Sequence, residues 1–131
     1  MGDHRKAGVV MFYTSNAYYK TKKAGKNDSK FEAGVAEELR LLKMAHEIKD
    51  FKEQVVIPLE VNGYHICNYK IDFVIEHNDG ITEYREAKGF ATDVWKLKWK
   101  VFEAIYSDKP NVKLSVVYQG KSWKPQRRRV K

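Results

Sequence analysis

The stretch YKIDFVIEHNDGITEYREAKG, residues 69–89, decides the fold of this chain. Apolar and polar residues alternate along its first half, which predicts a long β-strand ending near Glu76. Asn78-Asp79-Gly80 then predicts a tight turn, and a further strand is expected from Ile81 to Lys88. We therefore expect an antiparallel β-hairpin at the centre of the chain.

The turn fixes which residues of this hairpin face one another. A three-residue loop with Gly80 in the left-handed conformation makes His77 face Ile81. The same register then places Asp72 opposite Glu86. Because side chains alternate between the two faces of a sheet, one face is expected to carry five residues: Lys70, Asp72, Tyr84, Glu86 and Lys88.

This arrangement of like charges favours a metal site over its alternative, an ordinary solvated sheet face. Asp72 faces Glu86 and Lys70 faces Lys88, which is unfavourable by roughly 0.2–1 kcal/mol for each pair. A divalent cation between the carboxylates turns their repulsion into coordination, and oxygen ligands suit Mg²⁺, with Mn²⁺ as a substitute. Lys88 can then orient an attacking water or stabilise charge on a phosphate. A two-residue loop would weaken this interpretation, because it would place Asp72 opposite Ala87.

Upstream of the hairpin, the sequence predicts one helix and one edge strand. The helix is expected from about Ser29 to Glu47, and its first residue forms a capping-box pattern with Glu32. The strand is expected from Gln54 to Val61, where Pro58 favours an edge position. Asn62-Gly63 predicts a two-residue turn into the long strand.

Downstream, a second helix is expected from about Thr92 to Tyr106, with Trp95 and Trp99 on its apolar face. These tryptophans are interpreted as core residues rather than as platforms for base stacking. A last strand is expected from Val112 to Tyr118, and the helix between them allows the last two strands to pair in parallel. The predicted fold is α/β (α+β), of order α-β-β-β-α-β, with a mixed sheet flanked by helices.

Charge is distributed unevenly along the 131 residues, whose formal net charge is +8. Residues 1–30 hold seven basic and two acidic residues, residues 120–131 six basic and no acidic ones, and the middle twelve basic and fifteen acidic. Two basic arms on an acidic body are typical of proteins that hold nucleic acid through counterion release. Tails that only aid solubility are the alternative.

We divide the chain into an N-terminal arm, 1–28, with a candidate strand at Val9 to Tyr13, a core, 29–119, and a tail, 120–131.

The composition argues against several classes of protein. No apolar run is long enough to span a membrane, and the N-terminus lacks the apolar stretch of a secretory signal. Cys67 is the single cysteine, so a disulfide framework and a multi-cysteine zinc site are excluded, and it is expected to be a buried small hydrophobe. No glycine-rich phosphate loop is present, so no nucleotide cofactor is expected. These features favour an intracellular, cytoplasmic protein.

Asp72, followed after a short hairpin by Glu86-Ala87-Lys88, resembles the PD-(D/E)XK nuclease motif. The likeness includes Gly89 and the order of elements over about residues 29–118, and it points to small phage-encoded endonucleases of that superfamily, including Holliday-junction resolvase-like members. The resemblance implies a restriction-endonuclease-like core, metal bound by Asp72, Glu86 and the Ala87 carbonyl, a catalytic Lys88, and an assisting acid at Glu32. Ile71 stands where the motif's name has proline. The second helix lacks the Gln-x-x-x-Tyr pattern of exonuclease-like branches, which argues against a processive exonuclease.

What the resemblance implies is a Mg²⁺-dependent DNA endonuclease acting on branched DNA, in the host cytoplasm if the protein is phage-encoded. Symmetrical cutting of a four-way junction takes two active sites, so a homodimer is expected. A duplex-nicking or restriction-like endonuclease and a non-catalytic nucleic-acid-binding module stay open as alternatives. The candidate DNA contacts are Tyr19, Lys20, Lys96, Lys98, Lys100, Arg127, Arg128 and Arg129. As alternatives, the lysines of the second helix merely cover its surface, and the two arms form dimer contacts.

Overall fold

The computed structural model describes residues 10–14 and 27–120, with side chains from Lys30 onward. The elements of this part of the chain are β1 (Val10–Thr14), α1 (Asn27–Met44), β2 (Asp50–Val61), β3 (Tyr64–Glu76), β4 (Thr82–Lys88), α2 (Asp93–Tyr106) and β5 (Val112–Tyr118). The strands form one sheet in the order β1-β5-β4-β3-β2. Strands β1 and β4 run parallel to β5, and the other pairs are antiparallel. The mixed α/β class predicted from the sequence is therefore confirmed.

The sheet separates two apolar clusters, one under each helix. Adjacent strand residues point to opposite faces, and Val116 and Val117 of β5 belong to different clusters. Helix α1 packs on one face through Phe31, Val35 and Leu39. Helix α2 packs on the other through Trp95, Trp99 and Phe102, which confirms that Trp95 and Trp99 are core residues. Neither of the two helices described is both long and apolar enough to cross a bilayer.

Helix α1 begins two residues before the predicted start and ends three residues before the predicted end. Ser29 therefore lies inside the helix rather than at its N-cap, so the capping-box interpretation of Glu32 is wrong. Asn27 and Asp28 are equally good N-terminal residue types, and spacing alone does not choose among them. At the other end, His46 has φ +62°, and the Glu47 amide donates to the Leu42 carbonyl at 2.8 Å, which closes the helix in a Schellman motif.

Both predicted hairpin turns form. Asn62 and Gly63 have φ of +54° and +84°, as a two-residue turn requires. In the second turn Gly80 has φ +92°, and the His77 amide donates to the Ile81 carbonyl at 2.9 Å. Phe73 then pairs with Arg85 and Glu76 with Thr82, which is the register predicted from the turn. Strand β2 lies at the sheet edge, as predicted from Pro58.

Strand β3 changes the face that its apolar residues occupy, and the change falls at Asp72. Tyr69 and Ile71 pack in the cluster under α2, whereas Phe73 and Ile75 pack in the cluster under α1. Simple alternation would place all four on one face. The change leaves Asp72 at the boundary between the two clusters.

The expected position of Lys70 is wrong for the same reason. Because Tyr69 and Ile71 occupy the α2 side of β3, the exposed Lys70 points to the other side, away from Tyr84. Its partner in the sheet is Val56 of β2. The ladder between β3 and β4 extends only to Phe73 and Arg85, so Lys70 does not face Lys88.

Candidate active site

Asp72 and Glu86 come together where β3 and β4 stop pairing. In place of a further ladder bond, Asp72 Oδ2 accepts a hydrogen bond from the Ala87 amide at 2.9 Å. Asp72 is 9% exposed and Glu86 is 3% exposed, so both carboxylates are largely withdrawn from water. The turn of the hairpin sets the level of Asp72, and the end of the ladder opens room for its side chain.

The surroundings of Glu86 oppose its ionisation. Burial, followed by the neighbouring Asp72 carboxylate, raises the pKa of Glu86 to about 8, although Lys88 and Tyr69 act in the opposite direction. Lys88 Nζ lies 3.3 Å from Glu86 Oε2 and 4.8 Å from the centre of a Trp95 ring. The two acids therefore share a place where additional positive charge would be stabilising.

A tyrosine and a tryptophan that the sequence analysis missed hold Glu86 from the α2 side. Tyr69 Oη donates to Glu86 Oε1 at 2.7 Å, and Trp95 Nε1 donates to Tyr69 Oη at 3.1 Å. Burial, and then Glu86, raise the pKa of Tyr69 well above its usual value, so the phenol keeps the proton that it donates. With Lys88 over Trp95, the four side chains form a closed ring of contacts. Strict alternation along β3 predicted that Tyr69 lies on the face opposite Glu86. The one signal in the sequence was the residue type, because a buried tyrosine hydroxyl usually finds a hydrogen-bond partner.

Glu32 reaches this site from α1 through a third residue that the sequence analysis missed, Gln54. Gln54 Nε2 donates to Glu32 Oε2 and, at 3.3 Å, to Asp72 Oδ1. Burial and the Asp72 carboxylate raise the pKa of Glu32 to about 7. The structure thus brings Glu32, Asp72, Glu86 and Lys88 into one region, with the helix acid on one side of Asp72 and the strand acid on the other.

The oxygen donors of this region match those that Mg²⁺ prefers. Among the side chains described, no three His, Cys, Asp or Glu residues are already arranged to hold a metal ion. The predicted set is smaller, consisting of the Asp72 and Glu86 carboxylates and the Ala87 carbonyl, which leaves positions for water and phosphate oxygens. Two buried carboxylates that repel each other fit such an ion, because the cation would stabilise both ionised forms.

A separate buried acid, Glu83, lies outside this site. Its carboxylate is fully buried and accepts a hydrogen bond from Ser115 Oγ. It also contacts His77 Nε2 at 2.7 Å and Arg85 at 2.9 Å. Burial alone would raise its pKa, but His77, Arg85 and Ser115 together lower it to about 2. The pKa of Glu83 is lowered and that of Glu86 is raised. The neighbours of Glu83 therefore stabilise its ionised form, whereas the surroundings of Glu86 do not.

The candidate DNA-binding lysines of α2 fall into two groups. Lys98 Nζ donates to the Asn68 carbonyl at 3.1 Å and so links α2 to β3, which favours the structural interpretation for this residue. Lys96 is partly buried and Lys100 is exposed. The other candidates, Tyr19, Lys20, Arg127, Arg128 and Arg129, lie outside the described residues.

The strands that precede the two basic segments in the sequence, β1 and β5, end level with Lys88. Lys88 of β4 pairs with Tyr118 of β5, and Tyr118 pairs with Thr14 of β1, so these three strands end side by side. In the sequence, residues 15–26 follow Thr14 with four lysines and no acid, and residues 121–131 follow β5 with six basic residues and no acid. The last strand residues before the two cationic segments therefore lie at the same end of the sheet as Lys88.

Comparison with known proteins identifies a family but no activity. Residues 16–124 match the model of a family described as "Protein of unknown function (DUF1064)", and the chain belongs to this family because the match covers most of its length. The comparisons with curated proteins and with solved structures found no match.

Proposed function

We propose that this protein is a Mg²⁺-dependent DNA endonuclease with a restriction-endonuclease-like core, acting on branched DNA such as Holliday junctions. The observation that carries the proposal is the convergence of the buried acids Asp72 and Glu86, with Lys88 beside them, at the end of the β3–β4 ladder. The likeness of these residues to the PD-(D/E)XK motif supports it, and so does the order of elements that surrounds them.

Asp72, Glu86 and the Ala87 carbonyl would hold the metal. If bound there, the ion would supply a Lewis acid that could polarise the phosphodiester and make a bound water more acidic. The protein's own contribution is to fix the ligands: the Ala87 amide holds Asp72, and the Tyr69 hydroxyl holds Glu86. Ligands held by such outer hydrogen bonds need little reorganisation when the substrate arrives.

Lys88 has the role of a charged donor to the substrate. Its ammonium lies between the Glu86 carboxylate and the Trp95 ring, so its position is set by two contacts rather than by its flexible stem. From there it orients the attacking water or stabilises negative charge that develops on the phosphate. Glu32 assists from the other side of Asp72, where Gln54 holds it.

The two cationic segments supply affinity for the phosphate backbone. They follow β1 and β5, which end level with Lys88, so contacts that they make near those ends would bring the phosphates of DNA toward the acids. A homodimer would present two such sites to a four-way junction. The proposed location is the cytoplasm, where DNA and Mg²⁺ are both accessible.

The test is cleavage of synthetic four-way junctions, duplexes and single strands in Mg²⁺, Mn²⁺ or EDTA. We expect metal-dependent nicking that is fastest on the junction, and its loss in Asp72→Ala and Lys88→Ala, with DNA binding retained. Glu60→Gln, an exposed acid of β2, is the matched control and should cut like the wild type. Equal or faster cutting of duplex would favour the nicking or restriction-like alternative. DNA binding without any metal-dependent cutting would overturn the proposed endonuclease activity and favour a non-catalytic DNA-binding module.

A further inference from the structure

Gln54 has a backbone conformation that is unusual for its residue type and position. It lies within β2 with φ +54°, the left-handed region that glycine and asparagine favour. The pairing on both sides is regular, since Glu53 pairs with Phe73 and Val55 with Ile71. The conformation therefore belongs neither to a strand end nor to a slip in register, and it places Gln54 opposite Asp72.

The left-handed residue is the point at which β2 changes faces. Phe51 packs against the cluster under α1, whereas Val55 and Ile57 pack in the cluster under α2. Strand β3 makes the same change at the facing position, Asp72. Both strands therefore turn at one level of the sheet, and the side chains of that level are Gln54 and Asp72.

We propose that Gln54 is a positioning residue of the active site: its left-handed backbone aims one amide at both Glu32 and Asp72 and holds the helix acid against the strand acid. An amide nitrogen carries two hydrogens, so one group donates to both carboxyl groups and holds together two acids that repel each other when both are ionised. This inference rests on the function proposed above. It also explains how a partly exposed residue of α1 becomes part of a site built on two strands.

The strain is informative because it is retained where a glycine would relieve it. Left-handed conformations of residues with side chains persist at functional sites when the side chain is required there. If only the backbone path mattered, glycine would serve the fold better than glutamine. The requirement must then lie in the amide and in the two carboxylates that it contacts.

Two substitutions separate the amide from the backbone. Gln54→Ala removes the amide and keeps the strain, whereas Gln54→Gly removes both. We expect both variants to bind Mn²⁺ alone about tenfold more weakly by titration calorimetry, and to cut the junction at least tenfold more slowly. The melting temperature of Gln54→Gly should exceed that of Gln54→Ala. In a Glu32→Ala background, Gln54→Ala should weaken Mn²⁺ binding much less than it does in the wild type, because part of its effect passes through Glu32.

Each contrary result overturns the inference. Wild-type Mn²⁺ affinity and cleavage in Gln54→Gly would show that the amide is not needed. Equal melting temperatures of the two variants would show that the backbone is not strained, and an undiminished effect of Gln54→Ala without Glu32 would show that the bridge has no role. Wild-type protein that neither binds Mn²⁺ nor cuts DNA would instead sink the proposed function itself. Glu60→Gln again serves as the control in the same strand.

Discussion

Tyr69 Oη lies 2.7 Å from Glu86 Oε1 and donates a hydrogen bond to that carboxylate. The two residues are on neighbouring strands, and Trp95 Nε1 supports the tyrosine from α2 at 3.1 Å. Glu86 is thus held by a neutral donor on one oxygen, while Lys88 lies 3.3 Å from the other. A carboxylate held at both oxygens has little freedom left to rotate.

Replacing Tyr69 by phenylalanine removes this donor and keeps the ring that packs against Trp99 and Phe102. We expect cleavage to slow by about tenfold to a hundredfold, because Glu86, the proposed metal ligand, loses its outer hydrogen bond. The free energy of unfolding should fall by only about 1–2 kcal/mol. Single-turnover cleavage and denaturant unfolding measure the two effects. Tyr84→Phe, which removes a hydroxyl from the same face two residues from Glu86, is the control, and an equal loss in both variants would refute the role of Tyr69.

The stability of the metal-free protein should depend on pH in the direction set by Glu86. Its folded pKa, about 8, lies above the usual value of 4.5, so the folded state binds a proton that the unfolded state releases. The contribution of Glu86 to stability is therefore greatest below about pH 4.5 and is lost as the pH rises toward about 8. We expect the melting temperature in EDTA to fall between pH 5.5 and 8 by more in the wild type than in Glu86→Gln.

Mn²⁺ should reverse that loss, because an ion bound only by the folded state stabilises it. At pH 8 in excess Mn²⁺, the melting temperature of the wild type should rise above its value in EDTA. Glu86→Gln and Asp72→Asn should show much smaller rises. A rise of the same size in these variants would place Mn²⁺ binding elsewhere in the protein.

Glu83 should give the opposite pH dependence. Its folded pKa, about 2, lies below the usual 4.5, so its contribution is complete above about 4.5 and is lost as the pH falls toward about 2. The difference corresponds to about 3 kcal/mol at neutral pH. We expect Glu83→Gln to unfold more easily at pH 7 and to lose less stability on acidification than the wild type. Denaturant unfolding between pH 7 and 2.5 measures both, and parallel curves for the two proteins would contradict it.

Replacing Arg127, Arg128 and Arg129 by alanine should weaken DNA binding. The affinity of the acidic site for Mn²⁺ should stay unchanged. Three lost phosphate contacts would reduce the slope of log affinity against log salt concentration by up to about 2.7. Fluorescence anisotropy at several salt concentrations measures the slope. Calorimetry should give an unchanged affinity for Mn²⁺ alone. An unchanged salt dependence would show that the tail does not contact the backbone of DNA.

Local chemistry allowed much of the fold to be predicted. Gly80 and Asn62-Gly63 determined two turns, and the second turn fixed the register that brings Asp72 level with Glu86. These features depend on residues that are close in the chain, so the sequence contains them almost completely. The helix ends were less determined, because neighbouring residues offered equivalent starting points.

Only the tertiary structure decided how this level of the sheet is built. The left-handed Gln54, the change of face at Asp72, and the approach of Glu32 depend on contacts between residues 18 and 22 positions apart. Tyr69 likewise reached Glu86 only because β3 changed faces, which a rule of strict alternation does not allow. The sequence by itself determined that Asp72 and Glu86 would meet, because a short turn sets a hairpin's register. Packing against two helices decided which side chains surround them, because that depends on how distant parts of the chain fill both faces of the sheet.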